Sequence, residues 1–280
     1  MGQQRAGTCA KGGQRSDMDS GSFNLCNLPP WVIASRHFVE DPRPLEITGV
    51  RESNRFLFRT LDQIADPDER ARRFDDYVSV KFQLHHWERE ETASARRSIK
   101  NSYLRFLRGW GVDSSSIEGA VLKGWVESRM GMPPTFHRER VNGPESPTYA
   151  RYAVDRMKGS ERTNAILAQL DLVYTFTQYE LARRLPGERW LTLWRGQNGV
   201  DDCDVIARPE RRRWLVRLNN LCSFTDDPER AWEFGSTVWE ARVPMPRVFF
   251  VSSFFPRSIL KGEREHIVIG GETPVRILLA

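Results

Sequence analysis

Two carboxylates separated by a single residue, Glu263 and Glu265, stand just before the apolar run Ile267-Val268-Ile269. Side chains alternate faces along an extended strand, so this spacing sends both acids to one side, about 7 Å apart. Like charges that close titrate as a coupled pair. A carboxylate beside a sugar ring can offset the positive charge that develops as a leaving group departs from the anomeric carbon. Two further clusters lie upstream: Trp194-Arg195-Gly196 ends one strand-like run and Ser223-Phe224-Thr225 ends another. An arginine fork matches phosphate oxygens, and glycine allows close backbone approach to a ligand. A serine hydroxyl can orient both a ribose and a carboxylate. Together these residues describe a site that grips a pyrophosphate and stabilises a sugar cation.

Cleavage of a nicotinamide–ribose bond uses those parts, which points to NAD as co-substrate. Glu265 takes the place beside the anomeric carbon, and Ser223 orients it together with the ribose. Arg195 holds the pyrophosphate, and Gly196 lets the backbone reach the nicotinamide amide. Phe224 or Trp194 supplies a ring that can stack on nicotinamide, and Thr225 adds a second hydroxyl. Glu263 would attract and orient an acceptor guanidinium. Because that group keeps its proton below pH ~12, proton loss is expected to be concerted with attack. Each piece has a plainer alternative: Arg195 as a surface ion-pair partner, Ser223 as a turn residue, and Glu263-Arg264-Glu265 as the charged edge of a loop. The ordered set, each member beside a strand, favours the site.

The elements that must position these residues change character along the chain. Residues 1–21 are rich in Gly, Gln and Ser and are expected to be a disordered tail. From 22 to 152 the pattern is mostly helical. Asp66-Pro67-Asp68-Glu69 supplies an N-cap, a proline at the first helical position and an acid at the third, opening a helix through Phe74 and Tyr77. A second helix is expected from about Ala93 through Tyr103 and Phe106 to end at Gly109 and Gly111. A third opens at Ser115-Ser116-Ile117-Glu118 and closes at Gly131. Between about Ser160 and Arg184, the residues Ile166, Leu170, Val173, Thr177 and Leu181 recur at three- and four-residue steps, predicting a helix packed on a sheet.

After Pro186-Gly187 come short β-like runs at 190–194, 214–218, 238–243, 248–251, 266–269 and 275–279, with a capped short helix from Asp227 to Gly235. Gly270-Gly271 reads as a turn between the last two strands. Helices early and strands late predict an α+β fold, with residues 153–280 forming the catalytic core and 22–152 the cleft wall, target-recognition and regulatory region.

Composition narrows the class. Of 280 residues 39% are hydrophobic, enough for a globular core, and Lys+Arg outnumber Asp+Glu by 42 to 37, giving a mildly basic surface that favours anionic partners. A nucleic-acid-binding module is the competing class, but the arginines are interleaved with acids and no RRM, KH or zinc-finger signature is present. Cys9, Cys26, Cys203 and Cys222 form no CxxC pair, so neither a zinc ribbon nor a disulfide framework is expected. No metal is expected either: His85 and His86, being adjacent, point apart on a helix. No signal peptide or apolar run of spanning length is present, so the expected location is cytoplasmic. Arg211-Arg212-Arg213 reads equally as a phosphate or acidic-target contact and as a solvated strand start.

The order strand-Arg-Gly, then Ser223-x-Thr225 before a short helix with Ala231 and Phe234, then Glu263-x-Glu265 before an apolar strand resembles the Arg-Ser-Glu class of mono-ADP-ribosyltransferases. The usual middle motif there is Ser-Thr-Ser, from which Ser223-Phe224-Thr225 departs. The segments FNLCNLPPWVIASRHF (23–38), RPLEITGVRESNRFLF (43–58) and KGEREHIVIGGE are similar to the bacterial dinitrogen-reductase ADP-ribosyltransferase family. That resemblance implies a split antiparallel sheet core and transfer of ADP-ribose from NAD to an arginine of dinitrogenase reductase, the nitrogenase iron protein. It also implies that nitrogen fixation is thereby switched off and that a PII signalling protein acts as regulator. NAD hydrolysis, with water in place of arginine, is the nearest alternative reaction.

Overall fold

Capping side chains set most of the helix ends. Asp66 accepts hydrogen bonds from the Asp68 and Glu69 amides, and Pro67 opens the helix Pro67–Lys81. Ser116 caps Ile117–Met130, which ends on Gly131 at φ 68°, the left-handed region that suits glycine. Ser102 caps Tyr103–Val112. The computed structural model describes residues 24–84, 102–161, 165–199, 203–256 and 264–279. The expected disordered tail, His85-His86, the start of the helix from Ala93 and Glu263 all lie outside those residues.

Two helical expectations need correction. The helix expected to stop at Gly109 and Gly111 runs through both to Val112. A side chain at 109 would place its Cβ 2.4 Å from Glu118 Cβ, so this glycine serves the close packing of two helices instead of ending one. The helix expected from about Ser160 starts at Ile166, after Ala165 at φ 53°, and runs to Arg184; a separate helix, Pro147–Ser160, ends where it was expected to begin. Four short helices, Pro30–Ile33, Arg36–Glu40, Val50–Ser53 and Arg55–Asp62, open the region expected to be mostly helical.

A small hairpin, β1 (Phe136–His137) and β2 (Glu139–Arg140), precedes the main sheet. That sheet is antiparallel and contains β3 (Trp190–Gln197), β4 (Asp204–Glu210), β5 (Arg213–Thr225), β6 (Thr237–Pro244), β7 (Val248–Val251) and β8 (Glu265–Leu279). The first part of β8 pairs with β7 and the end of β5; its second part pairs with β6 and the start of β5. β3 lies along β6 and meets β5 at Trp194↔Thr225. The sheet is therefore split, and β5 and β8 run through both halves.

The change of direction falls at a bulge. Leu218 faces Gly271 and Leu221 faces Ile269, so Asn219 and Asn220 stand opposite Gly270 alone. A Cβ at Gly270 would lie 1.8 Å from the Asn219 carbonyl oxygen. Gly270-Gly271 is thus no turn: both glycines lie within one continuous strand that only unsubstituted backbone can bring this close to its neighbour. Asn219 and Asn220 use the bulge to dock the helical layer. Asn220 donates to the carbonyls of Lys123 at 3.0 Å and Met132 at 2.9 Å, and Asn219 accepts from the Thr135 amide at 3.0 Å.

Helices early and sheet late give an α+β architecture, with the helix Ile166–Arg184 laid against β7. Phe176 on that helix stacks on Phe74 at 4.1 Å between ring centroids, and Phe255 packs edge-on to both. Cys26, Cys203 and Cys222 are buried. Among the described residues no helix is long and apolar enough to cross a membrane. One interaction in this layer is fully desolvated. Arg70 Nε and Nη2 donate to the two Glu180 oxygens at 2.6 and 3.0 Å, with 4% and 0% of the side chains exposed. The hydrogen bond to Glu180 raises the Arg70 pKa above its ordinary value. Removing one partner strands a buried charge, so Glu180→Gln should lower unfolding stability by about 3–5 kcal/mol, read as a fall in the urea midpoint.

Candidate active site

Three strand ends converge because two cross-strand pairs share Thr225: it faces Trp194 on β3 and Glu265 on β8. Residues two apart on a strand share a face, so Ser223 stands diagonally across from Glu265 on the same side. The Ser223 hydroxyl donates to Glu265 Oε1 in a short hydrogen bond. Arg195, next to Trp194, donates from Nη1 to the Ser223 carbonyl at 2.9 Å, which ties the arginine's strand to the serine's. Glu265 is 6% exposed and sits at the start of β8.

These residues border a cleft of about 530 Å³, within the ordinary range for small-molecule sites. Arg195, Gly196, Ser223, Phe224, Thr225 and Glu265 all line it, as does Trp194. Side by side they place a guanidinium, two hydroxyls and a carboxylate in one cleft. Their surroundings differ in detail. Phe224 is 3% exposed and belongs to the hydrophobic core. The Thr225 hydroxyl accepts from the Asp227 amide at 3.2 Å, which starts the turn into the helix Pro228–Glu233. Ser223 lies inside β5 and is not the turn residue of its plainer reading.

β8 begins at Glu265, and Arg264 before it adopts φ 49°, outside extended geometry, while Glu263 lies outside the described residues. A left-handed arginine is held only by its surroundings: its guanidinium lies 2.7 Å from Asp226 Oδ1 and 3.7 Å from Asp227 Oδ2. His266 follows on the opposite face, where burial pushes its pKa below the usual histidine range and leaves a neutral ring at pH 7. Arg211 to Arg213 form the exposed turn from β4 into β5 and do not line the cleft, which matches the solvated strand start.

Several cleft residues were not singled out in the sequence. Trp110, Asp113 and Ser114 form the wall opposite the strand ends, and Gln197 and Asn198 extend β3 along it. Phe234, half exposed at the cleft, is better placed than Phe224 to offer a free ring face. The Nε2 of Gln197 is buried and has no hydrogen-bond partner among the described residues, leaving a donor for a bound molecule. Trp110 reaches furthest into the chemistry: its Nε1 is 2.8 Å from Ser223 Oγ and 3.2 Å from Glu265 Oε1. No local signal in the sequence marked it, and the flanking Gly109 and Gly111 read as a helix end.

A split antiparallel sheet with this cleft at its strand ends, backed by an early helical layer, defines an α+β enzyme of the ADP-ribosyltransferase class. The family described as Dinitrogenase reductase ADP-ribosyltransferase (DRAT) matches residues 23–277, and the chain belongs to that family. It is similar to the NAD(+)-dinitrogen-reductase ADP-D-ribosyltransferase of Rhodospirillum rubrum, 41% identical over 259 residues that cover 91% of this chain and 94% of that protein. No solved structure matches the chain.

Gly196 offers a direct check on how the cleft is built. A Cβ there would lie 2.0 Å from the Ala231 carbonyl oxygen, so an added methyl group must push the short helix off β3. Gly196→Ala should cost about 3 kcal/mol of stability and raise the KM for NAD, measured by thermal unfolding and initial rates.

Proposed function

We propose that this enzyme transfers ADP-ribose from NAD to an arginine of dinitrogenase reductase and so turns nitrogen fixation off. Family membership and the name of the Rhodospirillum rubrum relative support this substrate. The observation that carries the mechanism is the hydrogen bond from Ser223 to the Glu265 carboxylate, in a cleft that Arg195 also lines.

The C1′–N bond of the nicotinamide riboside breaks heterolytically, and nicotinamide leaves with the electron pair. The ribose becomes oxocarbenium-like, and the Glu265 carboxylate beside it offsets the positive charge. Ser223 orients that carboxylate and the ribose, while Arg195 pairs with the pyrophosphate. Phe234 or Trp194 stacks on the departing ring. A guanidinium nitrogen of the target then bonds to C1′ and passes its proton to the Glu263 carboxylate as it attacks, with Glu263 also attracting and orienting the acceptor.

The sheet region, 153–280, carries the catalytic groups, and the helical region, 22–152, supplies a cleft wall, target recognition and the surface for a PII regulator. The wall formed by Trp110 to Ser114 supports that division. The mildly basic chain, at a net charge of +5, suits an acidic face on the target.

Glu265→Gln keeps the shape and removes the charge, and should lower transfer at least 10²–10³-fold. Mass spectrometry of dinitrogenase reductase incubated with NAD reads the result, and wild-type transfer by this variant would refute the assignment. Glu263→Gln should reduce arginine modification more than residual NAD hydrolysis, which a parallel nicotinamide assay measures. Nicotinamide release by the wild-type enzyme with no mass added to the target would assign NAD hydrolysis instead.

A further inference from the structure

We propose that Trp110 is a positioning residue for this reaction: its indole N–H fixes the Ser223–Glu265 pair, so the helical layer helps to orient the carboxylate toward the sugar. The inference rests on the transferase reading of the cleft and deepens it. Trp110 is 113 residues from Ser223 and 155 from Glu265 in sequence, yet its Nε1 lies 2.8 Å from Ser223 Oγ and 3.2 Å from Glu265 Oε1. Ser223 donates to that same Oε1. One carboxylate oxygen thus receives two donors, which resists rotation of the carboxylate and sets the direction of Oε2. Two donors from different layers hold it more tightly than the sheet alone.

The indole is itself held. It is 3% exposed, and its helix is tied to the next one by Arg105 in the first turn, 2.9 Å from Glu118, and by the close approach at Gly109. The ammonium of Lys123, a fully buried side chain, lies 5.9 Å from the centre of the Trp110 ring and donates to the Phe136 carbonyl at 2.9 Å. A cation near the ring face attracts it electrostatically and adds a third anchor. Packing alone would be met by phenylalanine, whereas a buried indole N–H requires an acceptor. Here the acceptors are the two groups assigned to the chemistry.

The test replaces the N–H without changing the shape. Wild-type enzyme is compared with a protein carrying 3-benzothienylalanine at position 110, in which sulfur stands in for the N–H, and with Trp110→Phe. Nicotinamide release and target modification are followed across a range of NAD concentrations. Loss of one hydrogen bond to a charged group predicts a fall in kcat of about 10- to 100-fold, with KM for NAD changing less than about threefold. Adding Ser223→Ala to the isostere should cost less than the product of the two separate losses, because both donors act on one oxygen. The isostere keeps the fold even if Trp110→Phe does not. A kcat within about threefold of wild type, a loss carried by KM, or independent losses in the double variant would overturn the inference while leaving the transferase reading intact. A wild-type enzyme that releases no nicotinamide and modifies no target would overturn the transferase reading and this inference with it.

Discussion

The hydrogen bond from Ser223 to Glu265 lies where three strand ends meet at Thr225, and the rest of the structure can be understood as what makes that meeting possible. Two antiparallel strands alone place serine and glutamate diagonally across from each other on one face. Bringing Arg195 beside them requires a third strand from the other half of the sheet, and this needs β5 and β8 to serve both halves. The bulge at Asn219-Asn220 and the bare backbone at Gly270 provide the bend. The geometry at one end of β8 thus depends on steric permissions granted at its middle.

A bend of this kind leaves polar groups without their ladder partners, and the helical layer accommodates them. The bulge asparagines bond to backbone of the Ile117–Met130 helix and of the segment after it. That helix is tied to Ile166–Arg184 by Arg129, whose Nε and Nη2 lie 2.7 and 2.9 Å from the Asp171 oxygens, and by Trp125, whose Nε1 is 2.8 Å from Oδ1. On the far side Arg247, fully desolvated, donates to the Ile33 and Ser35 carbonyls of the first short helices and to the Glu272 carbonyl of β8. Burial pushes its pKa down to about 9, which still leaves it charged at neutral pH. Buried charges of this sort contribute little net stability, but they allow few alternative packings.

The same arrangement explains how one cleft can combine firm and adaptable parts. Glu265 is enclosed by a strand end, a serine and an indole, whereas Phe234 and the surface around Val112 stay open to solvent. Enclosure suits the charge-stabilising role proposed for Glu265, and exposure suits the proposed contact with a protein partner. Arg264, turned into the left-handed region and held by Asp226 and Asp227, stands at the boundary between them.

Residue types and local spacing were enough to mark Arg195, Gly196, Ser223, Phe224, Thr225 and Glu265 as cleft residues and to order the elements as helices first and strands after. Each of those signals is local: an alternating run, a cap, a cluster at a strand end. Caps such as Asp66 and Ser116 were legible for the same reason. Tertiary structure alone decided the rest. It turned Gly270-Gly271 from a loop into a crossing point, carried a helix through Gly109 and Gly111, broke the extended geometry assumed at Arg264, and brought Trp110 onto the carboxylate. In every such case the deciding neighbour is a backbone or side chain supplied by another element, and close approach between distant segments leaves no periodic mark on the chain that makes it.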